Sequence, residues 1–92
     1  MAIRVRFFAR FRELLGTDIL VQGKDGDNLT GLVRDVAKKN REGYDAIFDE
    51  KGNFNNFVIV MRNGRRVEIT DTETTIVADG DEIAIFPPVA GG

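Results

Sequence analysis

The residues best suited to chemistry form the C-terminal stretch Phe86-Pro87-Pro88-Val89-Ala90-Gly91-Gly92. Proline has no N–H and fixes φ at about −65°, so Pro87-Pro88 favours an extended exit from the preceding strand. Glycine has no Cβ, so Gly91-Gly92 can pass where a side chain would clash. The pattern predicts a slim arm that ends in an α-carboxylate and suits a narrow channel in another protein, where that carboxylate could be activated. The alternative is an inert terminus, because chain ends are commonly loose.

Composition removes most catalytic side chains. The 92 residues contain neither Cys nor His. This excludes disulfides, zinc–thiolate sites, cysteine nucleophiles and imidazole bases or ligands. The carboxylate pairs Asp25/Asp27 and Asp79/Asp81 flank glycines, and we interpret them as turn formers rather than as metal ligands or acid–base pairs. Composition alone still allows an all-carboxylate site, but because these pairs favour turns we predict no metal site and no bound cofactor.

Charge and hydropathy argue against nucleic acid and membrane as partners. Arginines at 4, 6, 10 and 12, interleaved with phenylalanines, could stack on RNA. The net charge of −2 favours the alternative, a solvated face that is paired with Glu13, Glu68 and Glu82. Since no apolar run approaches the roughly 20 residues that span a bilayer, and the N-terminus alternates too early for a secretory signal, we expect a cytoplasmic protein.

Hydrophobic spacing predicts five strands and one main helix. The strands are expected within residues 2–8, 17–21, 57–61, 65–69 and 82–86. The helix should run from an N-cap at Asn28 to about Asn40, with Gly43 ending it and residues 44–48 forming a loop or short helical turn. A helical turn over residues 9–15 should stop at Gly16. Asn63-Gly64 indicates a type I′ hairpin turn.

These elements favour an α+β domain over residues 1–86, with a flexible tail over residues 87–92. One helix covers one face of a five-stranded sheet. The simplest compact solution is a mixed sheet with the first and last strands parallel at its centre, which is the β-grasp arrangement. The side chains buried between this helix and the sheet should be those of Ile3, Val5, Phe7, Leu32, Val33, Val36, Val58, Val60, Ile83 and Ile85.

Strand alternation places a second apolar set on the open face of the sheet. Ile59 and Met61 alternate away from the core, as does Phe86 beside the tail, and Phe8 can join them. Contiguous exposed apolar surface usually marks a partner site. The alternatives are a central strand buried on both faces, or scattered side chains without function.

The tail and two further segments resemble a known family. The ending Ile85-Phe86-Pro87-Pro88-Val89-Ala90-Gly91-Gly92, preceded by Asp79-Gly80-Asp81-Glu82, resembles the C-terminus of the small subunit of molybdopterin synthase (MoaD) and its sulfur-carrier (ThiS-type) relatives. The segment from Phe8 to Gly16 is similar to that subunit's first turn. The stretch from Asp49-Glu50-Lys51-Gly52 through Val60-Met61-Arg62-Asn63-Gly64 is similar to archaeal members, including the ubiquitin-like small archaeal modifier proteins.

The resemblance implies that all catalytic groups come from partners. An E1-like enzyme would use ATP to adenylate the Gly92 carboxylate, which then becomes a thiocarboxylate or is joined to a lysine as an isopeptide. Gly91, Ala90, Val89, Pro88 and Pro87 would give access, and Phe86, Ile59, Met61 and Phe8 would dock the partner. The partners implied are the E1-like enzyme, with either a molybdopterin synthase large subunit or lysine-bearing targets; the free protein would be a monomer.

Three hypotheses follow from these observations. The protein is a sulfur carrier for molybdopterin synthesis, a ubiquitin-like protein modifier, or a noncovalent β-grasp interaction module with an inert tail. Nothing in the sequence separates the first two, which share the activation step and can coexist.

Overall fold

The computed structural model describes residues 1–88. The predicted tail residues Val89, Ala90, Gly91 and Gly92 lie outside the described residues. In chain order the elements are β1 (Ala2–Phe7), α1 (Ala9–Leu15), β2 (Asp18–Gln22), α2 (Leu29–Ala37), α3 (Arg41–Ile47), β3 (Ile59–Arg62), β4 (Arg65–Val67), a 3₁₀ turn (Ile69–Asp71) and β5 (Glu82–Phe86). Within residues 1–88, every helix is too short or too polar to cross a lipid bilayer.

The five strands form one mixed sheet in the order β2-β1-β5-β3-β4. Strands β1 and β5 are parallel at its centre, with Val5 opposite Ile83 and Phe7 opposite Ile85. The other neighbouring pairs are antiparallel. The prediction of a β-grasp sheet with its first and last strands side by side is confirmed.

The core lies between one face of this sheet and the helices. All ten residues predicted to be buried beneath the main helix are buried. Eight further apolar residues complete the core: Phe11, Leu15, Leu29, Ala37, Ile47, Phe48, Phe54 and Val77. The two short helices α1 and α3 and the connecting loops supply most of these eight. The main helix α2 therefore does not cover this face of the sheet alone.

The main helix begins as predicted but ends earlier. Asn28 is its N-cap, and its side chain accepts a 2.7 Å hydrogen bond from the N–H of Gly31. The helix ends at Ala37 instead of about Asn40. The prediction that Gly43 ends it was wrong, because the Asn40 side chain caps a new helix, α3, by accepting the Gly43 N–H at 3.1 Å.

Gly43 is needed for helix packing and not for a turn. It is buried within α3, and a Cβ at this position would lie 2.6 Å from Cγ of Leu15 on α1. Atoms that are not bonded to each other do not approach so closely in a packed core. The glycine therefore allows α1 and α3 to come together, which the sequence pattern did not indicate.

Gly43→Ala is expected to lower the free energy of unfolding by up to ~2 kcal/mol, because overpacking costs ~1–3 kcal/mol and the better helix propensity of alanine offsets ~1 kcal/mol of that cost. Urea unfolding would measure the change. The same substitution made in a Leu15→Ala background should cost little, since the clashing side chain is absent. An equal cost in both backgrounds would contradict the proposed clash.

The β3–β4 hairpin turns as predicted, although its strands are shorter. Asn63 and Gly64 have φ values of 52° and 81°, the two positive φ angles that a type I′ turn requires. Strand β3 begins at Ile59 and not at Phe57, which is 52% exposed and lies in a turn. Strand β4 ends at Val67 instead of Ile69, which begins the 3₁₀ turn.

Asp81 anchors the turn that precedes β5. Its buried carboxylate accepts hydrogen bonds from Asn63 Nδ2 at 2.8 Å, the Ala78 N–H at 2.8 Å and Arg62 Nε at 2.9 Å. Burial alone would raise the pKa of Asp81, but these three hydrogen bonds and the Arg62 charge hold that pKa below its usual range. The bond to Ala78 fits the predicted turn role, and the other two join the turn to the hairpin.

Asp81→Asn should lower the free energy of unfolding at neutral pH by ~1–3 kcal/mol, because a charged acceptor is lost from a buried network. The folded-state pKa is depressed, so the Asp81 contribution is present above the unfolded pKa of about 3.9 and is lost as pH falls through the folded value. Urea unfolding of both proteins at neutral and strongly acidic pH should therefore show the difference shrinking in acid. A difference that stays constant with pH would contradict this assignment.

Candidate docking groove and tail exit

The four predicted docking residues come together on the open face of the sheet. Phe8, Ile59, Met61 and Phe86 line one groove of about 420 Å³. Ala9, Pro87 and Pro88 complete its lining. All seven lining side chains are apolar, so the groove can bury apolar partner surface but supplies no acid, base or nucleophile. Their docking role remains a proposal.

Strand register explains why these residues meet. Ile59 lies opposite Phe86, and Met61 lies opposite Ala84, in the antiparallel pair of β3 and β5. Their neighbours Val60 and Ile85 point to the core and are fully buried. The larger outward-facing side chains of these two strands, Ile59, Met61 and Phe86, line the groove.

Phe8 enters the groove at the corner between β1 and α1. Its N–H donates to the carbonyl of Ile85 at 3.2 Å, and its own carbonyl accepts the N–H of Phe11 at 3.1 Å. The next residue, Ala9, has φ of 53°, which is uncommon for a residue other than glycine. Sequence reasoning missed this left-handed corner and the place of Ala9 in the groove, because no glycine or asparagine marks it.

The Phe8 and Phe86 rings stack, with centroids 4.2 Å apart and ring planes 12° from parallel. The guanidinium carbon of Arg6 lies over the Phe8 ring, 5.3 Å from its centroid. Arg6 Nη1 also contacts Glu82 Oε1 at 3.3 Å. Arg6 on β1, Phe8 just after it, and Glu82 and Phe86 on β5 thus form one layered cluster at the base of the tail.

The remaining predicted arginine pairs are only partly as expected. The pairing of an arginine with Glu82 is confirmed. Among residues 1–88, however, neither Glu13 nor Glu68 forms an ion pair; Asp18 and Glu42 bind Arg4 and Arg10 instead. Three of the four arginines on this edge are thus ion-paired, with partners from β2, α3 and β5.

The tail leaves the sheet at the rim of the groove. Pro87 is half-buried and Pro88 is exposed, and both contribute to the groove lining. The predicted reacting residue Gly92 and the access residues Gly91, Ala90 and Val89 lie outside the described residues. Across residues 1–88, no cluster of three or more acidic side chains is placed to hold a metal ion.

A profile of the ThiS family matches residues 5–92. The chain belongs to the ThiS family. Small archaeal modifier protein 3 of Haloferax volcanii is 37% identical over the whole length of both chains. The molybdopterin synthase sulfur carrier subunit of Escherichia coli is 34% identical, and the match covers 98% of this chain and 99% of that subunit. The family that the tail and the other matching segments indicated is confirmed.

Solved structures place the fold in the same group. The crystal structure of SAMP1 from Haloferax volcanii superposes with a TM-score of 0.85 over the whole of both chains, at 24% identity. The chain thus has the ubiquitin-like β-grasp fold. A complex of subunits 1 and 2 of the molybdopterin-converting factor from Helicobacter pylori contains a further similar chain, with a TM-score of 0.60, 25% identity and full coverage of both chains.

ThiS-family membership settles the general class of the protein. It is a small sulfur-carrier or modifier protein, and it is not itself an enzyme. The relatives divide between sulfur carriers and protein modifiers. Both interpretations fit this chain.

Proposed function

We propose that the protein is a sulfur carrier for molybdopterin synthesis, with the α-carboxylate of Gly92 as its reacting group. The observation that carries this proposal is the apolar groove at the base of the Gly-Gly tail. A partner that docks in the groove is held beside the point where the tail leaves the sheet. The family match, which extends through residue 92, supports the same assignment.

The chemistry requires activation of an unreactive carboxylate. An E1-like enzyme would bind ATP and join the Gly92 carboxylate to its α-phosphate, releasing pyrophosphate and forming an acyl-adenylate. Sulfide (HS⁻) from a sulfur donor then attacks the acyl carbon and displaces AMP, which leaves a C-terminal thiocarboxylate and releases a proton. The enzyme supplies the catalytic groups in both steps, and this chain supplies the acyl group and the surface that positions it.

The groove would dock the activating enzyme. Ile59, Met61 and Phe86 present apolar area from adjacent strands, and partly exposed apolar side chains of this kind gain free energy when a partner removes them from water. The tail would then insert into the molybdopterin synthase large subunit, where the sulfur would pass to a molybdopterin precursor.

Protein modification is the second candidate function. The observation that favours it is the 37% identity with small archaeal modifier protein 3 over the whole of both chains. The same acyl group, once activated, would be attacked by a lysine amine of a target protein, giving an isopeptide bond. The noncovalent interaction module remains the third hypothesis and requires no reaction at Gly92.

Mass analysis of the tagged protein, recovered from its own host under denaturing conditions, tests the proposal. One sulfur in place of one carboxylate oxygen would establish the carrier function. Digests with Gly-Gly on a target lysine would establish the modifier function, and both products together would mean that one activated tail has two fates. An unmodified chain from a host that contains the activating enzyme would favour the interaction module.

A further inference from the structure

We infer that Phe8 and Arg6 are positioning residues that fix the direction in which the tail leaves the sheet. For Phe8 this role is additional to lining the docking groove, and it rests on the proposed activation of the tail. Phe8 acts through Phe86, the residue immediately before Pro87. Arg6 acts through Phe8.

The backbone of Phe8 is held from both sides. Its N–H donates to Ile85 on β5, while its carbonyl accepts the N–H groups of Phe11 at 3.1 Å and Arg12 at 3.4 Å. The left-handed Ala9 turns the chain sharply at this point. The Phe8 ring therefore projects from a fixed corner, which makes it a firm surface for a neighbouring side chain.

That neighbouring side chain is Phe86. Rings 4.2 Å apart and within 12° of parallel restrict each other's rotation about χ1 and χ2. The proline at 87 has a fixed φ, so its direction depends on the end of β5. Holding Phe86 in one orientation thus restricts the direction taken by Pro87 and Pro88, which line the same groove.

Arg6 reinforces this arrangement from β1. Its guanidinium contacts Glu82 at the start of β5 and lies over the Phe8 ring near the end of that strand. Its Nε is buried and has no hydrogen-bond partner among residues 1–88. A buried donor left unpaired is costly, so hydrogen bonding alone does not account for this placement. The attraction between the Arg6 guanidinium and the face of the Phe8 ring accounts for the placement.

The consequence for activation is kinetic. A partner that has docked must still bring the Gly92 carboxylate to the ATP α-phosphate, and each additional tail direction lowers the fraction of docked complexes that can react. Loss of the Phe8 ring should lower kcat for adenylation. Loss of an apolar docking side chain should raise KM for the carrier instead.

Phe8→Leu keeps apolar volume but removes the flat ring. With the host's E1-like enzyme, pyrophosphate release at varied carrier concentration should show kcat falling ~10-fold and KM rising by a smaller factor, because leucine keeps apolar area in the docking groove. Met61→Ala should give the opposite pattern. Arg6→Gln should lower kcat by less than Phe8→Leu. Arg4→Gln is its matched control, because Arg4 lies on the same face of β1 and forms an ion pair of equal length, 3.3 Å, with Asp18.

Some results would contradict the positioning role and leave the proposed function unaffected. If Phe8→Leu raises KM alone, or changes neither constant, Phe8 does not position the tail. If Arg6→Gln and Arg4→Gln behave alike, Arg6 has no special part in the cluster. If the wild-type chain is not adenylated at all, the proposed function fails.

A measurement without the enzyme tests whether Phe8 positions the tail, whether or not the chain is adenylated. Carbon-13 relaxation at the Cα atoms of Pro87 and Pro88 reports how strongly their direction is restricted. Lower order parameters in Phe8→Leu than in the wild type would support positioning, and unchanged values would refute it. Circular dichroism and urea unfolding would confirm that the variant is folded.

Discussion

Removal of Gly91 and Gly92 should abolish adenylation while leaving the fold intact. The truncated chain still ends in a carboxylate, but that carboxylate stops two residues short of the ATP site and carries the bulk of Ala90. Proximity and orientation contribute most of the rate in such a step, so we expect no detectable pyrophosphate release. Residues 1–88 contain the entire described core, so urea unfolding should match that of the full chain.

One further variant distinguishes the effect of tail length from that of side-chain bulk at the tip, and a second variant is a control. Gly92→Ala keeps the length and the carboxylate but adds a Cβ, and should be adenylated more slowly than the wild type. Leu20→Ala, a change at an exposed side chain on the outer face of β2, should react normally. If the truncated chain retained both its partner binding and its cellular role, the interaction-module hypothesis would replace the carrier.

Ile59→Arg should weaken binding of the E1-like enzyme by ~100-fold, since loss of a central apolar contact commonly costs ~2 kcal/mol or more and a buried unpaired charge adds to that cost. Ile59 lies directly opposite Phe86 in the groove, so the arginine would enter the middle of the docking surface. Isothermal titration calorimetry with purified enzyme would measure the dissociation constant.

Leu20→Arg is the matched control for this substitution. Leu20 is 67% exposed and also lies on the outer face of the sheet, but on the edge strand β2 and outside the groove. Its replacement introduces the same charge and should leave the dissociation constant within about twofold, because peripheral contacts carry little binding energy. Equal losses from the two variants would show that net charge, and not the groove, controls binding.

Much of the fold follows from local sequence signals. Strict alternation in Ile3-Arg4-Val5-Arg6-Phe7 sets which face of β1 is buried. Asn63-Gly64 sets the hairpin turn, since it can adopt two positive φ angles. One amphipathic helix can cover only one face of the sheet, which leaves few compact strand orders. The simplest of these orders places β1 parallel to β5 at the centre.

The errors occur where tertiary contacts decide the local structure. Gly43 was expected to end a helix because isolated glycines often do, yet the contact with Leu15 places it inside α3. Asn40 has a strong capping preference that would have indicated the new helix. Ala9 carries no comparable signal, because its left-handed conformation depends on how Phe8 is held between β1 and β5.

The groove could be predicted only in part for a similar reason. Alternation identifies Ile59, Met61 and Phe86 as outward-facing. The ring stack and the placement of Arg6 depend on the alignment of β1 beside β5, which involves residues from opposite ends of the sequence. A single sequence gives the faces of the strands but not the side-chain geometry between them.

The central pairing of β1 with β5 also bears on protein synthesis. Strand β1 leaves the ribosome first, but its parallel neighbour follows only after nearly all of the described chain has been made. An incomplete translation product that lacks β5 has neither a closed sheet nor the Phe86 side of the groove. If a partner docks in this groove as proposed, it can bind only chains that have been completed through β5.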